Sequence, residues 1–425
     1  MFDPYLIIIG ICIMVGLSYV YDLASKKFRV PSVLFLIFTG MVLNQVAEYF
    51  DHDYEQQLNS ILQLLGIIGL IMIVLEASVD LKLSRDKIPL ISKSLLIAFL
   101  VLLITTISIA FLIQLLLDEK FFNALIYAIP LSVVSSAVLI PSVHHLTQEK
   151  KEFLIYESTF SDIIGIMFFN FIVLNDSGSV FSFSGLLMIL VTIIVSIVLS
   201  YILVYFFCNI TTKVKLFLML AILALLYAIG KQLHLSSLLI ILIFGLVLNN
   251  TELFFRGRLA KKLDQGKVVA ICKDFRMITA ETAFLVRTFF FVTFGMSINL
   301  SVFGDSIVLL VGSIIVLILY VVRYVNFKMV LRSNVLPEIF LAPRGLITIL
   351  LFYSIPVQYQ IQNFKVGILF FVILATSIIM MIALMNTKSS KAVEFTVIDY
   401  GAGPSSDLQD IEPEGPYCDI DGNGD

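Results

Sequence analysis

Residues 152–175 read EFLIYESTFSDIIGIMFFNFIVLN, and this stretch decides the fold. It is long enough to cross a bilayer as a helix, which takes about 20 mostly apolar residues. Asp162 lies near its middle, and Ser158, Ser161 and Asp162 share one helical face that Gly165 continues. A charged side chain at this depth is costly and usually marks a functional site. The stretch therefore predicts a membrane-spanning helix with one face rich in oxygen atoms.

The composition of the whole chain agrees with a membrane environment. Of 425 residues, 59% are hydrophobic and 14% are charged, with a net charge of -3, whereas soluble domains have about 25% charged residues. This excludes a soluble enzyme, a disordered scaffold and a nucleic-acid binder, so we expect lipid and no nucleic acid as a partner. The four cysteines lack metal-ligand spacing, which leaves zinc and haem unsupported. Long continuous apolar runs predict helices rather than a β-barrel.

Apolar runs of suitable length predict an all-α integral membrane protein with about 13 transmembrane helices. The predicted spans are residues 4–21, 31–47, 59–78, 88–117, 121–146, 152–175, 183–208, 214–230, 235–250, 279–299, 303–326, 335–357 and 364–386.

The distribution of basic residues gives an orientation for these spans. With the N-terminus outside, the only Lys and Arg residues in extracellular loops are Lys120, Lys231 and Lys365. All other basic loop residues then lie inside, as the positive-inside rule requires. We therefore expect a multi-pass protein of the plasma (inner) membrane with a cytoplasmic C-terminus. Residues 1–386 form the predicted transport domain, and residues 387–425 form a short acidic cytoplasmic tail that we expect to be mostly disordered.

Two predicted spans contain helix-breaking residues. The fifth contains AIPLSVVSSA at residues 128–137, and the twelfth contains LAPRGL at residues 341–346. The offset between them is seven spans, an odd number, so they cross the membrane in opposite directions, as in an inverted repeat of spans 1–6 and 8–13 with span 7 as a linker. Matched interruptions point to a transport site near the midplane, although each proline alone could be an ordinary kink.

The side chains near the middle of the membrane predict a cation site. A carboxylate and two hydroxyls from Asp162, Ser158 and Ser161, with carbonyls freed in the broken fifth span, form a hard oxygen site suited to an alkali cation. Glu157, Arg287 and Arg344 are the further charges at depth, and we expect them to lock helices in ion pairs rather than bind the cation. We expect Arg323 to snorkel to the cytoplasmic surface. The pair His144 and His145 is either a pH sensor or a solvated part of a loop.

Four motifs resemble the sodium/proton exchanger branch of the monovalent cation:proton antiporter superfamily. The most specific is Glu157-Ser158-Thr159-Phe160-Ser161-Asp162, which is similar to the branch's E-S-x-x-N-D. Arg344-Gly345 resembles its late R-G, and the stretch from Arg287 to Gly295 resembles its arginine ahead of F-x-x-x-G. The stretch from Glu76 to Leu81 is similar to E-A-G-x-x-L. The resemblance covers residues 1–386.

Two positions depart from that pattern. Ser135-Ser136-Ala137 stands where the branch has T-D-P, and it is closer to the S-S-T-A of the potassium-efflux branch. Ser161 replaces the asparagine before the aspartate, so a smaller hydroxyl stands where a side-chain amide would bond an arginine. Without that amide, Arg287 could bond only Ser161 or Asp162 directly.

The resemblance implies an inverted-repeat transporter with two broken, crossing helices, usually a homodimer, in which a core domain moves against a dimerisation domain. Asp162 would bind either a proton or Na+, with oxygens from Ser158, Ser161, Ser135 and Ser136. Glu157 with Arg344 would hold the core helices together. The only implied ligand is the transported Na+ or other alkali cation, and no cofactor is expected.

We therefore expect exchange of a monovalent cation, Na+ first, for H+. Because Ser161 is uncharged, one free carboxylate predicts electroneutral exchange. The alternatives are a K+/H+ antiporter, a passive cation channel and an integral-membrane enzyme that acts on a lipid-linked substrate. A channel would need a filter-like repeat, and an enzyme would need a nucleophile or metal constellation. We find neither in the sequence.

Overall fold

The structure is a computed structural model. It describes residues 4–28, 30–48, 55–81, 83, 85–143, 146–174, 183–209, 215–232, 237–255, 265–298, 304–331 and 335–387. Regular secondary structure within these ranges is entirely helical. The predicted acidic tail, apart from Thr387, lies outside the described residues, as do His144 and His145.

Fifteen α-helices follow one another along the described chain. They are α1 (Pro4–Phe28), α2 (Ser32–Glu48), α3 (Glu55–Asp80), α4 (Ile88–Leu117), α5 (Phe121–Ser132), α6 (Ser136–Leu139), α7 (Gln148–Leu174), α8 (Phe183–Asn209), α9 (Lys215–Gln232), α10 (Ser237–Asn249), α11 (Thr251–Phe254), α12 (Gln265–Met296), α13 (Ser306–Leu331), α14 (Leu346–Tyr353) and α15 (Gly367–Asn386). Short 3₁₀ turns lie at Arg85–Lys87, Ile140–Ser142, Glu338–Phe340 and Val357–Tyr359.

Each predicted span coincides with a helical segment of the described chain. Six segments are long and apolar enough to cross a membrane by length and composition alone, and shorter apolar helices such as Ser237–Asn249 account for others. The predicted tenth span, residues 279–299, begins too late, because α12 starts at Gln265. Its first turns carry Lys273 and Arg276, and hydropathy detects only the apolar part of such a helix.

The helices pack in two groups, each of which combines helices from the first and second halves of the chain. In the first group α4 contacts α5, α7 and α13, and α13 contacts α15. In the second group α12 contacts α2 and α3, while α10 contacts α3, α8 and α9. The helices between residues 88 and 174 thus pack with the last helices of the described chain. We call the first set the core group and the second set the scaffold group.

Close approach between α2 and α12 depends on two glycines. A methyl group at Gly40 would lie 2.1 Å from the Val292 carbonyl oxygen, and one at Gly295 would lie 2.3 Å from the Ile37 carbonyl oxygen. In a membrane, where hydrophobic driving force between helices is absent, such small residues permit the tight packing that holds helices together.

Candidate functional site

The two predicted helix breaks meet inside the core group. α5 ends at Ser132, Val133 and Ser135 have extended backbone, and α6 begins at Ser136. The second break is the stretch 341–345, between the 3₁₀ turn and α14. The Ser135 N–H donates to the Pro343 carbonyl oxygen at 2.9 Å. A methyl group at Gly345 would lie 2.7 Å from Ser135 Oγ, so a glycine there lets the two breaks cross in contact.

The first break is not a simple kink at a proline. Pro130 lies inside α5, and the helix stops only after Ser132. Three successive N–H groups are then freed at residues 134–136, and each finds a partner in another segment. Val134 donates to Ser161 Oγ at 2.9 Å, Ser135 donates to Pro343 as described, and Ser136 donates to an Asp162 carboxylate oxygen at 3.0 Å. These tertiary bonds satisfy backbone groups that lipid could not.

The Asp162 side chain is buried, with 1% of its surface exposed. Its Oδ2 accepts the Ser136 N–H, whereas its Oδ1 has no hydrogen-bond partner among the described residues. The fully buried Ser135 Oγ likewise has no partner among them. Buried polar atoms normally are hydrogen-bonded, and exceptions call for an explanation such as a ligand. The break thus holds two oxygen atoms available to a proton or a cation.

The other predicted oxygen donors have partners within the protein. Ser158 Oγ donates to the carbonyl oxygen of Ile155 at 3.3 Å on its own helix, and Ser161 Oγ accepts from Val134. Each hydroxyl oxygen keeps a lone pair, so their role as cation ligands stays a prediction.

Gly165 allows α7 to approach the first break. A methyl group on Gly165 would lie 2.3 Å from Val133 Cγ2, so any larger residue would push the break away from Asp162. The small-residue face predicted on this helix is the face that contacts the break.

The predicted ion pair between Glu157 and Arg344 is wrong. The buried Arg344 guanidinium donates to three backbone carbonyl oxygens: Leu131 at 3.0 Å, Ser132 at 3.2 Å and Ala342 at 2.7 Å. Leu131 and Ser132 are the last residues of α5, whose final carbonyls lack helical partners and carry the negative end of the helix dipole. Arg344 therefore joins the two breaks by capping a half-helix.

Arg323 is the partner of Glu157, and its predicted snorkelling is wrong. Its Nη1 and Nη2 contact Oε1 and Oε2 of Glu157 at 2.6 Å and 3.0 Å, and the two side chains are 1% and 0% exposed. Arg323 also donates to the carbonyl oxygens of Glu338 and Leu341 and lies 4.3 Å from the Phe327 ring. Arg323 lies three residues before the end of the predicted span 303–326, where snorkelling is possible. Because α13 continues to Leu331, the arginine is instead inside the helix, where a charge needs a partner.

The structure does not support the alternative in which Arg287 bonds Ser161 or Asp162 directly. Arg287 lies on α12 in the scaffold group and pairs with Glu76 Oε2 on α3 at 2.7 Å. Ser161 and Asp162 lie on α7 in the core group, where Ser161 Oγ and Asp162 Oδ2 accept backbone N–H groups of the first break. Arg287 is thus in an ion pair, as predicted, but the pair joins two scaffold helices.

Comparisons with known proteins agree with this architecture. Residues 11–386 match the family described as "Sodium/hydrogen exchanger, transmembrane". Two structures of the sodium proton antiporter MjNhaP1 from Methanocaldococcus jannaschii are similar to this chain. One, determined at pH 8, has a TM-score of 0.63 and 20% identity, and the other, an electron-microscopy map, has 0.64 and 18%. Both alignments cover 90% of this chain and 95% of theirs. No curated protein matches the sequence.

Proposed function

The chain belongs to the transmembrane sodium/hydrogen exchanger family, and from that premise we propose that it exchanges one Na+ for one H+ at the carboxylate of Asp162. Membership of a transporter family accounts for the transmembrane, all-helical fold. The residues that bind the ions, the stoichiometry and the orientation are the parts that we propose.

One observation carries the assignment to Asp162. Its buried Oδ1 has no partner among the described residues, and it lies on α7 against the crossing of the two breaks. A carboxylate that is desolvated and only half satisfied favours taking up a positive charge. A proton and an alkali cation both meet that need, and since a single carboxylate cannot hold both, their binding is mutually exclusive.

The second unpartnered oxygen supports a cation rather than a proton alone. Ser135 Oγ is next in sequence to the residue whose N–H holds Asp162 Oδ2. Hydroxyl and carboxylate oxygens suit a hard cation. We assign Ser135 and Asp162 as the principal ligands, with Ser136, Ser158 and Ser161 in supporting positions.

The proposed stoichiometry follows from the groups that are already neutralised. Both oxygens of Glu157 are bound by Arg323, Arg344 is fixed on carbonyl oxygens, and Ser161 carries no charge. Asp162 is then the one group at the crossing that exchanges a charge during the cycle. One proton leaves as one Na+ binds, so the carrier has the same net charge in both directions.

Orientation and assembly complete the proposal. We place the N-terminus outside and the C-terminus in the cytoplasm of a plasma membrane on the basis of the positive-inside rule. We further propose a homodimer that associates through the scaffold group, with the core group as the part that moves across the membrane with the ion.

The test is transport in proteoliposomes that contain the purified full-length chain and a trapped pH dye. An inward Na+ gradient should drive H+ out, and K+ and Li+ in matched runs decide the selectivity. An imposed membrane potential, worth about 2.3 kcal/mol per charge per 100 mV, should leave the Na+/H+ equilibrium unchanged. Na+ flux without proton movement would indicate a channel, and exchange driven by K+ but not Na+ would overturn the cation assignment.

A further inference from the structure

An open groove lies on the outer surface of the core group. It has a volume of about 450 Å³ and is enclosed by α13 and the stretch 335–340. Its apolar wall includes Val321, Leu336 and Phe340, which are 51%, 54% and 39% exposed. In a membrane-spanning chain this face meets the lipid, and the volume falls in the range of sites that hold small ligands.

One end of the groove is polar and basic. Lys328, in the last turn of α13, is the single charged side chain among the described residues that line the groove. The Lys328 ammonium has three donors, and it reaches the Tyr324 hydroxyl at 3.4 Å. The nearby carboxylate of Glu338 is paired with Lys150 at 2.7 Å and is 7% exposed, so it does not neutralise Lys328.

This arrangement fits a ligand with an anionic head and an apolar chain. Lysine and tyrosine near the end of a membrane helix lie at the level of the lipid headgroups, and the groove continues from there along the apolar face of α13. We propose that the groove binds one acyl chain of an anionic glycerophospholipid, whose phosphate is paired with Lys328.

A lipid in the groove would affect the crossing of the two breaks through the 3₁₀ turn at Glu338–Phe340. Ile339, in the lining, follows Glu338, whose carbonyl oxygen accepts from Arg323 at 3.3 Å. A lipid chain against this turn holds the stretch 335–340 on α13, and with it the segment that leads into the second break. We therefore expect anionic lipid to stabilise the core group and to raise the exchange rate. The effect on exchange rests on the proposed function, whereas lipid binding does not.

Binding can be measured without transport. The purified full-length chain in neutral detergent receives phosphatidylglycerol or phosphatidylcholine with identical acyl chains, and the melting temperature and the number of retained lipids are recorded. Phosphatidylglycerol should raise the melting temperature of the wild type more than phosphatidylcholine does. Lys328→Gln should weaken that response about fivefold, which corresponds to the loss of one basic group near an anionic surface.

Three variants separate a site from general charge attraction. Lys93→Gln removes an equally exposed charge on α4, away from the groove, and should respond like the wild type. Lys328→Arg should keep the phosphatidylglycerol response. Val321→Trp fills the groove without changing charge and should reduce retention of phosphatidylglycerol.

Two results would overturn the proposal. One is equal phosphatidylglycerol binding by wild type, Lys328→Gln and Lys93→Gln. The other is a Val321→Trp protein that binds lipid normally but changes its oligomeric state, because the groove would then be covered by a second copy. If no lipid supports exchange while the Lys328-dependent binding persists, the proposed function fails and the lipid site stands.

Discussion

Asp162 and Glu157 lie on the same helix, five positions apart in sequence, and both are buried within the core group. Around Glu157 every carboxylate oxygen has an arginine nitrogen within 3.0 Å. Around Asp162 one oxygen accepts a backbone N–H, and the other has no partner among the described residues. Burial alone therefore does not distinguish the two carboxylates. The difference lies in whether the protein itself satisfies the charge.

The largest effect should come from Asp162. Asp162→Asn keeps the shape of the side chain but can neither release a proton nor balance a cation, so exchange should fall to the background of empty liposomes. The measurement is dye dequenching after a Na+ pulse. Asp86→Asn, at an exposed position in the 3₁₀ turn before α4, is the matched control and should exchange normally. Exchange by a well-folded Asp162→Asn protein would remove the central assignment.

Removing the partner of Glu157 should first of all lower the stability of the protein. Arg323→Ala leaves Glu157 buried without its partner, and breaking a buried pair costs roughly 3–5 kcal/mol. The expected result is a lower melting temperature and a lower yield in detergent. Glu157→Gln combined with Arg323→Gln should recover part of the loss. An Arg323→Ala protein as stable as the wild type but inactive would make Arg323 a transport residue.

Arg344 provides a direct check on which arginine belongs to Glu157. Arg344→Ala leaves the last carbonyls of α5 unsatisfied, and hydrogen bonds to charged groups contribute about 1.5–3 kcal/mol each. We expect a stability loss of this order in thermal unfolding. Because Arg344 does not touch Glu157, adding Glu157→Gln should deepen the loss. If the double variant instead regained stability, the result would favour the ion pair between Glu157 and Arg344 that the sequence predicts.

The sequence and the structure agree on the features that depend on residues within a single segment. Continuous apolar runs place the spans, and the serine-rich and proline-containing stretches at 128–137 and 341–346 place the breaks, because these signals act within one segment. The depth of Asp162 follows from its position in a single run.

The arginine partners could not be predicted in the same way. The predicted spans contain three arginines, and the one that pairs with Glu157 is 166 residues away in sequence. Its identity depends on how α7 packs against α13. The acceptors of Arg344 are backbone carbonyls, which every residue has, and they become available only where the helix stops. The sequence shows the charge but not the vacant carbonyls that attract it.

Ser135 tests whether the unpartnered hydroxyl binds the cation. Because its Oγ has no partner among the described residues, Ser135→Ala should leave thermal stability nearly unchanged while raising the KM for Na+ about tenfold, the equivalent of about 1.4 kcal/mol. The matched control is Ser132→Ala, whose buried hydroxyl donates to Ala128 at 2.8 Å. That control should lose a little stability and keep its KM. An unchanged KM in Ser135→Ala would leave Asp162 without this ligand.

The smallest effect should come from a carboxylate that is satisfied but exposed. Asp305, just before α13, pairs with Lys365, and this hydrogen bond, with a further one from the Ile307 N–H, holds the pKa of Asp305 below its ordinary value of 3.8. A lowered pKa in the folded state stabilises the protein at pH values above 3.8, and the contribution is lost as the pH falls through the folded pKa.

Asp305→Asn keeps a cap for Ile307 but loses the ion pair. Water and salt screen such a pair, so at neutral pH the melting temperature should drop by at most about 2 °C. The difference should shrink in 1 M salt and vanish once the pH falls below the folded pKa of Asp305, as thermal unfolding of the two proteins across pH can show. A large drop in melting temperature would mean that exposure to water does not weaken this ion pair. The effect of a carboxylate would then depend on its location as well as on whether its oxygens have partners.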